Sequence, residues 1–232
     1  MEKVDCNRFD KEHMIKIDLH THAKPISKCS KLTAQELIDL KIKQGYGGMV
    51  LTDHCLGAYY FPVSYVNYVE EVIEEYIKAR DYGICKGFKV YLGLEVNIQK
   101  PSYGDWLLYG ITEDFLRKSP PLNELSQQEL YKLCVANNVL LVSAHPFRSG
   151  MFLGDTSCMD GVEINCTPCD YYKKDQVFDL AKEKGLLVTC GTDCHFEDDR
   201  FYGGIIIPKQ INDSVDLAKF MKKTKLKNLL VY

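Results

Sequence analysis

The chain of 232 residues carries 29 Lys and Arg against 32 Asp and Glu, which gives a formal net charge of −3. This length fits one large domain, residues 1–232, with room for an apolar core. A slightly acidic chain offers no basic stripe, so double-stranded nucleic acid is not an expected partner. The first residues lack an apolar leader and no run of about 18 apolar residues follows, so we expect a cytoplasmic protein with no membrane partner. Its ten cysteines are then expected to be reduced thiols.

The first predicted strand and helix lie in the first 45 residues. The segment Met14-Ile15-Lys16-Ile17 predicts a strand that leads into Asp18-Leu19-His20-Thr21-His22. Side chains alternate along an extended chain, so the two histidines point to the same side and can reach one metal ion. A helix is expected next, with a capping box of Thr33 and Glu36 at its start and Gly45 at its end.

Two buried strands are predicted after this helix. Residues 48–51 form an apolar run that leads into Thr52-Asp53-His54, and residues 89–92 form another that precedes Glu95. Asp53 and His54 are adjacent and point apart on an extended strand, so we expect only one of them to contact a metal ion.

The combination of helix and strand returns in the second half of the chain. A second capping box, at Ser126 and Glu129, opens a helix that Asn137 and Asn138 can close. The apolar run at residues 139–142 then predicts a strand that leads into Ser143-Ala144-His145.

A third unit follows the same plan. Asp170 is the expected N-cap of a helix that ends at Gly185. A strand at residues 186–189 follows, and it leads into Asp193-Cys194-His195, which repeats the spacing of the first histidine pair.

These alternating elements predict an α/β fold with parallel strands and right-handed crossovers. The carboxyl ends of all strands would then share one face, and every histidine of the chain except His13 follows a predicted strand. An open doubly wound sheet is the rival arrangement, but it binds ligands at one crevice rather than using nearly every strand. We therefore expect a barrel with a metal site at the carboxyl ends of its strands.

The residues at these strand ends define the predicted metal centre. Imidazole nitrogens and carboxylate oxygens together suit zinc, iron or manganese, and a carboxylate such as Glu95 or Asp193 can bridge two ions. Two ions about 3.5–4 Å apart can polarise a phosphoryl oxygen and hold a bridging hydroxide as the nucleophile. The expected metal ligands are His20, His22, His54, Glu95, His145, Asp193 and His195. The expected catalytic residues among them are His20, His22, Asp193 and His195.

Basic residues near the strand ends are candidates for binding the substrate phosphate. Arg148, three residues after His145, is the first choice, and Lys28 is the second. Lys24 and Arg200 are further candidates, although a solvated surface charge is the simpler interpretation for them.

Two other features have weaker chemical interpretations. Asp18 shares a strand face with His20 and is a candidate to orient its imidazole. Cys166-Thr167-Pro168-Cys169 has the spacing of a redox pair or of half a zinc site, but no second pair accompanies it.

Taken in this order, the motifs resemble those of the PHP (polymerase and histidinol phosphatase) family of phosphoesterases over nearly the whole chain. The matching segments are Asp18-Leu19-His20-Thr21-His22, Thr52-Asp53-His54, Gly93-Leu94-Glu95, Ala144-His145-Pro146 and Thr192-Asp193-Cys194-His195. The resemblance implies a distorted seven-stranded, TIM-like β/α barrel with two or three zinc, iron, manganese or magnesium ions at the strand ends. It also implies that His20 and His22 share one ion, that Glu95 and Asp193 are ligands around the cluster, and that His54 and His195 help to hold a third ion.

The sequence departs from the family pattern at two places. Several members carry a histidine or an acid a few residues after the first motif, where this chain has Ser27 and Lys28. A protonated lysine cannot bind a metal, so two ions are expected before a third. A further histidine is also common after the glutamate, and Asp105 is its nearest replacement here.

The predicted function is metal-dependent hydrolysis of a small phosphomonoester, as in a histidinol phosphatase. A phosphodiesterase or nuclease acting on nucleotides or short oligonucleotides is one alternative. A metal-dependent amidohydrolase also begins with two strand-end histidines, but Glu95 stands where its bridging lysine would be expected. A catalytically silent metal-binding module is the non-enzymatic alternative.

Overall fold

The computed structural model describes residues 13–55, 64–99, 103–197, 202–224 and 230–231. The strands in these ranges form one ten-stranded sheet. They are β1 (Met14–Thr21), β2 (Gly48–Leu51), β3 (His54–Cys55), β4 (Lys89–Ile98), β5 (Gly104–Tyr109), β6 (Leu140–Ser143), β7 (Gly161–Asn165), β8 (Leu187–Gly191), β9 (Gly204–Pro208) and β10 (Leu230–Val231). The α-helices in these ranges are α1 (Ala34–Lys43), α2 (Tyr65–Cys85), α3 (Glu113–Lys118), α4 (Gln127–Ala136), α5 (Lys174–Lys184) and α6 (Ser214–Lys223).

Eight of the described strands form a nearly closed barrel in the order β9-β1-β2-β4-β5-β6-β7-β8. The barrel closes where the end of β1 meets the residues after β8. The Asp193 N–H donates to the His20 carbonyl at 2.9 Å, and the His22 N–H donates to the Cys194 carbonyl at 3.1 Å. Gly191 permits this approach, because a Cβ there would lie 2.3 Å from the Cβ of His20. The predicted distorted barrel is therefore confirmed, although eight of the described strands form it where seven were expected.

The expectation of uniformly parallel strands is wrong at two positions. β5 runs antiparallel to both β4 and β6, and β9 runs antiparallel to β1. Residues 99–103 alone join β4 to β5, whereas a parallel crossover needs about a dozen residues or more. The chain must therefore reverse at this point. As a result, β5 begins at the face where β4 ends, which places Asp105 beside the strand ends that carry the predicted ligands.

The helices explain how the chain returns to that face. Both predicted capping boxes are present, with Thr33 opening α1 and Ser126 opening α4. Gly45 and Gly185 follow α1 and α5 with φ of 79° and 70°, the left-handed conformation that ends a helix. The predicted capping boxes and helix-ending glycines are therefore confirmed.

The predicted N-cap at Asp170 is wrong. α5 begins at Lys174, after a 3₁₀ turn at Tyr171–Lys173, and the Asp170 side chain forms no capping hydrogen bond. Its carboxylate instead accepts a hydrogen bond from Arg148 at 2.7 Å. Asp170 thus pairs with a charged side chain across the barrel mouth instead of with the backbone N–H groups at the start of α5.

Apolar packing holds the strand ends in place. β4 and β5 are buried along nearly their whole length, and α2 packs on β4 through residues such as Val69, Val72 and Ile73. Each fully buried aliphatic side chain contributes roughly 1.5–3 kcal/mol relative to an exposed one. Among the helices in the described ranges, none is long and apolar enough to cross a bilayer.

Candidate metal centre

Side chains from β1, β4 and the segment after β8 surround a first candidate ion position. His20 and His22 place their Nε2 atoms 2.9 Å apart. Asp193 Oδ1 lies 3.2 Å from Nε2 of His22 and 3.5 Å from Nε2 of His20. The Glu95 oxygens lie 3.4 Å from the same two nitrogens. All four side chains are buried, and nitrogen and carboxylate donors at these separations suit one divalent ion.

Glu95 also faces a second group of ligand atoms. Its Oε1 lies 3.1 Å from His145 Nε2, and that nitrogen lies 3.8 Å from Asp105 Oδ2. Glu95, Asp105 and His145 could therefore hold an ion of their own. The position of Glu95 between this group and the first one allows its carboxylate to bridge two ions.

A third group contains His22, His54 and His195. The ring of His22 stacks on both of the others, with centroid separations of 4.2 Å to His54 and 4.4 Å to His195. His195 donates from Nδ1 to the Asp193 carbonyl at 2.7 Å, which fixes the tautomer that presents Nε2 as a ligand atom. The expected metal ligands from the sequence thus all lie within one cluster.

Three buried atoms of this cluster lack a partner in hydrogen-bond geometry. They are Oε2 of Glu95, Nδ1 of His54 and Nδ1 of His145. Oε2 of Glu95 and Nδ1 of His54 form an ion pair at 2.7 Å. Leaving a buried polar group unsatisfied costs about 1–3 kcal/mol. A cation between such donors removes that cost, so the residues present fit divalent ions.

The ionisation of the cluster also suits cations. Burial would lower the pKa of His20, but the carboxylates of Glu163, Asp193 and Glu95 outweigh it and raise that pKa well above its usual value. Burial lowers the pKa of His22 well below its usual value, and two neighbouring histidines reinforce the effect. Burial would raise the pKa of Glu95 and of Asp193, yet His20 and other histidines hold both well below their usual values. The two carboxylates are therefore ionised at neutral pH, the form that binds metals.

Glu163, which sequence analysis missed, orients His20. Its Oε1 lies 2.8 Å from Nδ1 of His20, and its Oε2 accepts the His145 backbone N–H at 3.0 Å. A carboxylate on the second ring nitrogen fixes the tautomer and aims Nε2 at an ion. The available signal was the alternation of polar and apolar residues in Gly161-Val162-Glu163-Ile164-Asn165, which is typical of a strand with one polar face.

Asp18 does not have the role that the sequence predicted for it. Its Oδ2 lies 2.6 Å from Lys41 Nζ, and its Oδ1 accepts the backbone N–H groups of Thr192 at 3.0 Å and His20 at 3.2 Å. Lys41 and Asp18 are both fully buried. This pair holds the closure between β1 and β8, whereas Glu163 orients the imidazole.

Asp53 positions the loop after β1. Its Oδ1 accepts the Ala23 N–H at 2.8 Å and the Ser27 hydroxyl at 2.6 Å. Burial raises the pKa of Asp53 to about 6. Between the two adjacent candidates, it is His54 that joins a group of ligand atoms, while Asp53 lies outside these groups.

The candidate phosphate-binding residues occupy different environments. Arg148 donates from Nε to Asp170 at 2.7 Å and from Nη2 to Asp193 at 2.9 Å, and its side chain is 27% exposed. Lys28 and Lys24 are exposed on the loop after β1. Arg200 lies outside the described residues.

Backbone strain concentrates at two of the expected ligands. His145 and Asp193 have φ of 29° and 54°, in the left-handed region that residues other than glycine rarely adopt. Such strain costs of order 1–3 kcal/mol and occurs mainly at functional sites. Both residues directly follow strands that deliver them to the cluster.

Cys29 is a second residue that sequence analysis missed. Its side chain is half-buried and lies near His195 and His54. Burial would raise the pKa of Cys29, but these histidines lower it to about 6. In the C-x-x-C segment, Cys166 contacts a cysteine of another strand, with its Sγ 3.4 Å from Cys190 Sγ.

The sequence matches no known family model and no curated protein. Its fold, however, matches solved structures. PsfC from Pseudomonas syringae is 15% identical, with a TM-score of 0.66 over 89% of this chain and 87% of that chain. The lesion-specific endonuclease PfuEndoQ from Pyrococcus furiosus is 14% identical, with a TM-score of 0.62 over 91% of this chain and 56% of that chain.

A two-domain protein from Bacteroides vulgatus provides a further comparison. It is described as containing a predicted PHP-like metal-dependent phosphoesterase, and it is 14% identical with a TM-score of 0.59. The match covers 90% of this chain and 63% of that one, so the present chain spans less than two thirds of that protein. The resemblance drawn from the motifs is confirmed at the level of the fold, since this chain has the barrel of the PHP-like metal-dependent phosphoesterases.

Proposed function

We propose that this chain is a metal-dependent phosphoesterase that hydrolyses a small phosphomonoester. The supporting observation is the position of Glu95 between two groups of ligand atoms. A carboxylate shared in this way can hold two ions at the spacing that phosphate-ester hydrolysis uses. Zinc, manganese, iron or magnesium ions bound there would supply Lewis-acid activation of water and of a phosphoryl oxygen.

The proposed roles of the side chains follow from their contacts. His20, His22 and Asp193 hold the first ion together with Glu95. His145 and Asp105 hold the second on the other side of that carboxylate. His54 and His195 lie at the third group. The carboxylates are ionised and His22 is neutral near pH 7, whereas the pKa values of His20, His54, His145 and His195 are raised, so binding of ions should release protons from these rings.

Arg148 is the proposed binding group for the phosphoryl oxygens. A guanidinium carries five N–H donors, so its bonds to Asp170 and Asp193 do not exhaust it. The two carboxylates hold the planar group beside a metal ligand, which reduces the entropy lost on binding phosphate. Lys28 is the proposed second contact, and its exposure makes its contribution smaller.

The small substrate is proposed from the net charge of the chain. The net charge of −3 opposes binding of a long polyanion. A structure of Endonuclease Q, which shares the fold, holds a 27-mer duplex substrate, so phosphodiesters are the alternative that a test must include.

We also propose that residues 1–232 act as one domain in the cytoplasm. The extent of the match to PsfC, 87% of that chain, supports a single domain. The nine cysteines in the described ranges are free thiols, the state that a reducing compartment maintains.

The test combines elemental analysis with a substrate panel. Protein purified without added metal is measured for bound ions, then assayed against phosphomonoesters, phosphodiesters and amides. We expect at least two ions per chain and release of phosphate from monoesters. His22→Ala should lose both an ion and activity, while His13→Ala, on an exposed residue before β1, should keep both. Fewer than one ion per wild-type chain, or full activity in His22→Ala, contradicts the proposal. Hydrolysis of diesters alone would favour a nuclease instead.

A further inference from the structure

Asn97 is a buried polar residue of β4 that borders the second group of ligand atoms. It lies two positions after Glu95, and because side chains alternate along a strand, both residues point to the same face of β4. Asn97 is only 2% exposed, so its amide must find its hydrogen-bond partners inside the protein. The residue is therefore placed where its polar atoms can act on a metal ligand.

The amide of Asn97 contacts one of the candidate ligands directly. In the antiparallel pairing of β4 with β5, Asn97 lies opposite Asp105, an arrangement that brings two side chains on one face of a sheet together. Its Nδ2 donates to Asp105 Oδ1 at 2.5 Å. A hydrogen bond of this type is strong when the acceptor is a carboxylate.

This hydrogen bond determines which oxygen of Asp105 is left for an ion. With Oδ1 bonded to Asn97, Oδ2 faces the second group and lies 3.8 Å from Nε2 of His145. The backbone of Asp105 is also held, since its carbonyl accepts the Ala144 N–H at 3.0 Å. The terminal torsion of an aspartate is broad, so the amide supplies an orientation that the backbone alone does not.

The other polar atom of Asn97 argues against a role in packing alone. Its Oδ1 is buried and has no partner in hydrogen-bond geometry among the described residues. Burial of a half-satisfied amide is costly, and an apolar side chain would fill the same space at lower cost. The action of its N–H group on Asp105 is therefore the better explanation for an amide at this position.

We propose that Asn97 is a positioning residue for the second ion and acts through Asp105. Its N–H group fixes the carboxylate with Oδ2 toward the ion, as Glu163 fixes the ring of His20 for the first ion. Because Asn97 contacts one ligand of one ion, its loss should weaken that ion and leave the others unchanged. The assignment rests on the proposed metal centre, in which Asp105 is a ligand of the second ion.

Manganese titration tests this assignment without relying on catalysis. Wild type, Asn97→Ala and the control Asn137→Ala, an exposed asparagine at the end of α4, are titrated with Mn²⁺, and the unbound ion is measured by electron paramagnetic resonance. We expect two or more ions to bind to the wild type and to the control. In Asn97→Ala one of these ions should bind about ten- to hundredfold more weakly, the loss expected for a group that orients a ligand.

A double-mutant cycle distinguishes positioning of Asp105 from a general effect on the fold. Asp105→Ala should weaken the same ion at least as much as Asn97→Ala does. Adding Asn97→Ala to Asp105→Ala should then change the affinity no further, because the residue through which Asn97 acts is already absent. Asn97→Val, which also lacks the N–H donor and suits a strand, should give the same loss as Asn97→Ala.

The outcomes separate this assignment from the proposed function. Unchanged Mn²⁺ affinity in both single Asn97 variants overturns the role of Asn97 and leaves the phosphoesterase proposal intact. A loss of equal size with and without Asp105 also overturns it, since Asn97 would then act independently of that carboxylate. Binding of a single ion to the wild type overturns the role of Asn97 alone, and binding of none, by titration and by elemental analysis, overturns the proposed function as well. Circular dichroism of the metal-free proteins, which should be the same for all variants, identifies any variant that fails to fold.

Discussion

Two buried polar clusters begin on the same strand, β1, and differ in how their charges are compensated. In the first, Asp18 forms an ion pair with Lys41 Nζ at 2.6 Å and accepts hydrogen bonds from the Thr192 hydroxyl and N–H at 2.5 and 3.0 Å. The second cluster includes His20, which follows Asp18 by two positions. His20 and its neighbours surround Glu95, whose Oε2 has no partner in hydrogen-bond geometry. The Asp18 cluster is satisfied by protein atoms, whereas the Glu95 cluster keeps a buried carboxylate oxygen that a cation could bind.

This difference separates a structural buried charge from a functional one. A buried ion pair that is broken on one side leaves an uncompensated charge, which costs about 3–5 kcal/mol. The charge of Glu95 is compensated in metal-free protein by several histidines, so no single partner is essential, but its loss removes a ligand shared by two proposed ion positions. Mutations at the Asp18 pair should therefore act mainly on stability, and mutations at Glu95 mainly on activity.

The largest effect is expected from Glu95→Gln. The amide cannot bridge two cations as a carboxylate does, and the loss of several kcal/mol of Lewis-acid stabilisation corresponds to about a thousandfold lower rate of phosphate release. In metal-free protein the same substitution should lower the free energy of unfolding by less than Lys41→Met does, because the histidines that lower the pKa of Glu95 can release a proton when its charge is removed, whereas Lys41→Met leaves a buried carboxylate unpaired. Steady-state assays and urea unfolding in chelator measure the two quantities. Strong destabilisation of the metal-free variant would remove the contrast with Asp18.

Lys41→Met should have the opposite profile. It leaves Asp18 buried and unpaired, so we expect the free energy of unfolding to fall by about 3–5 kcal/mol. The double variant Lys41→Met with Asp18→Asn removes both charges and should recover part of this loss. Urea denaturation of the single and double variants measures the coupling. A loss below about 1 kcal/mol in the single variant would show that the pair is not needed for barrel closure.

Glu163→Gln should sharpen the comparison, because Glu163 belongs to the Glu95 cluster without facing an ion. The amide oxygen can still accept from His20 Nδ1 but lacks the charge that raises the basicity of the ring. We expect metal affinity to fall about tenfold, at the lower end for groups that orient a ligand. Competition with a chelator measures it, and Glu183→Gln on the exposed face of α5 is the control. Equal affinities in the two variants would contradict the orienting role.

The smallest effect concerns Asp160, at the opposite end of the barrel, before β7. Burial raises its pKa, although its carboxylate accepts the Leu141 N–H at 2.9 Å. Because the folded-state pKa lies above the unfolded value of about 3.9, the stability linked to its protonation is present below about pH 4. It is lost as the pH rises through the folded-state pKa.

Asp160→Asn keeps a hydrogen-bond acceptor for the Leu141 N–H and removes the loss of stability that accompanies ionisation of Asp160. We therefore expect the variant to gain roughly 1 kcal/mol or less in free energy of unfolding at pH 7, relative to wild type, and nothing near pH 3.5. Urea unfolding at the two pH values measures the change. A gain of equal size at both would mean that the effect is not linked to ionisation.

Local patterns in the sequence were sufficient to predict most of the side chains that the structure brings together in the Glu95 cluster. Each expected metal ligand follows or ends a short apolar run, and the alternation of side chains along a strand places His20 and His22 on one face. The two capping boxes and the helix-ending glycines were readable for the same reason, since each involves residues within a few positions of one another.

Other features depend on contacts between distant segments. His20 and Glu163 are 143 residues apart, and Lys41 and Thr192 are 151 residues apart. Asp105 joins Glu95 because β5 runs antiparallel to β4. Short-range sequence patterns do not specify such contacts, because packing of the apolar core determines which strand ends become neighbours.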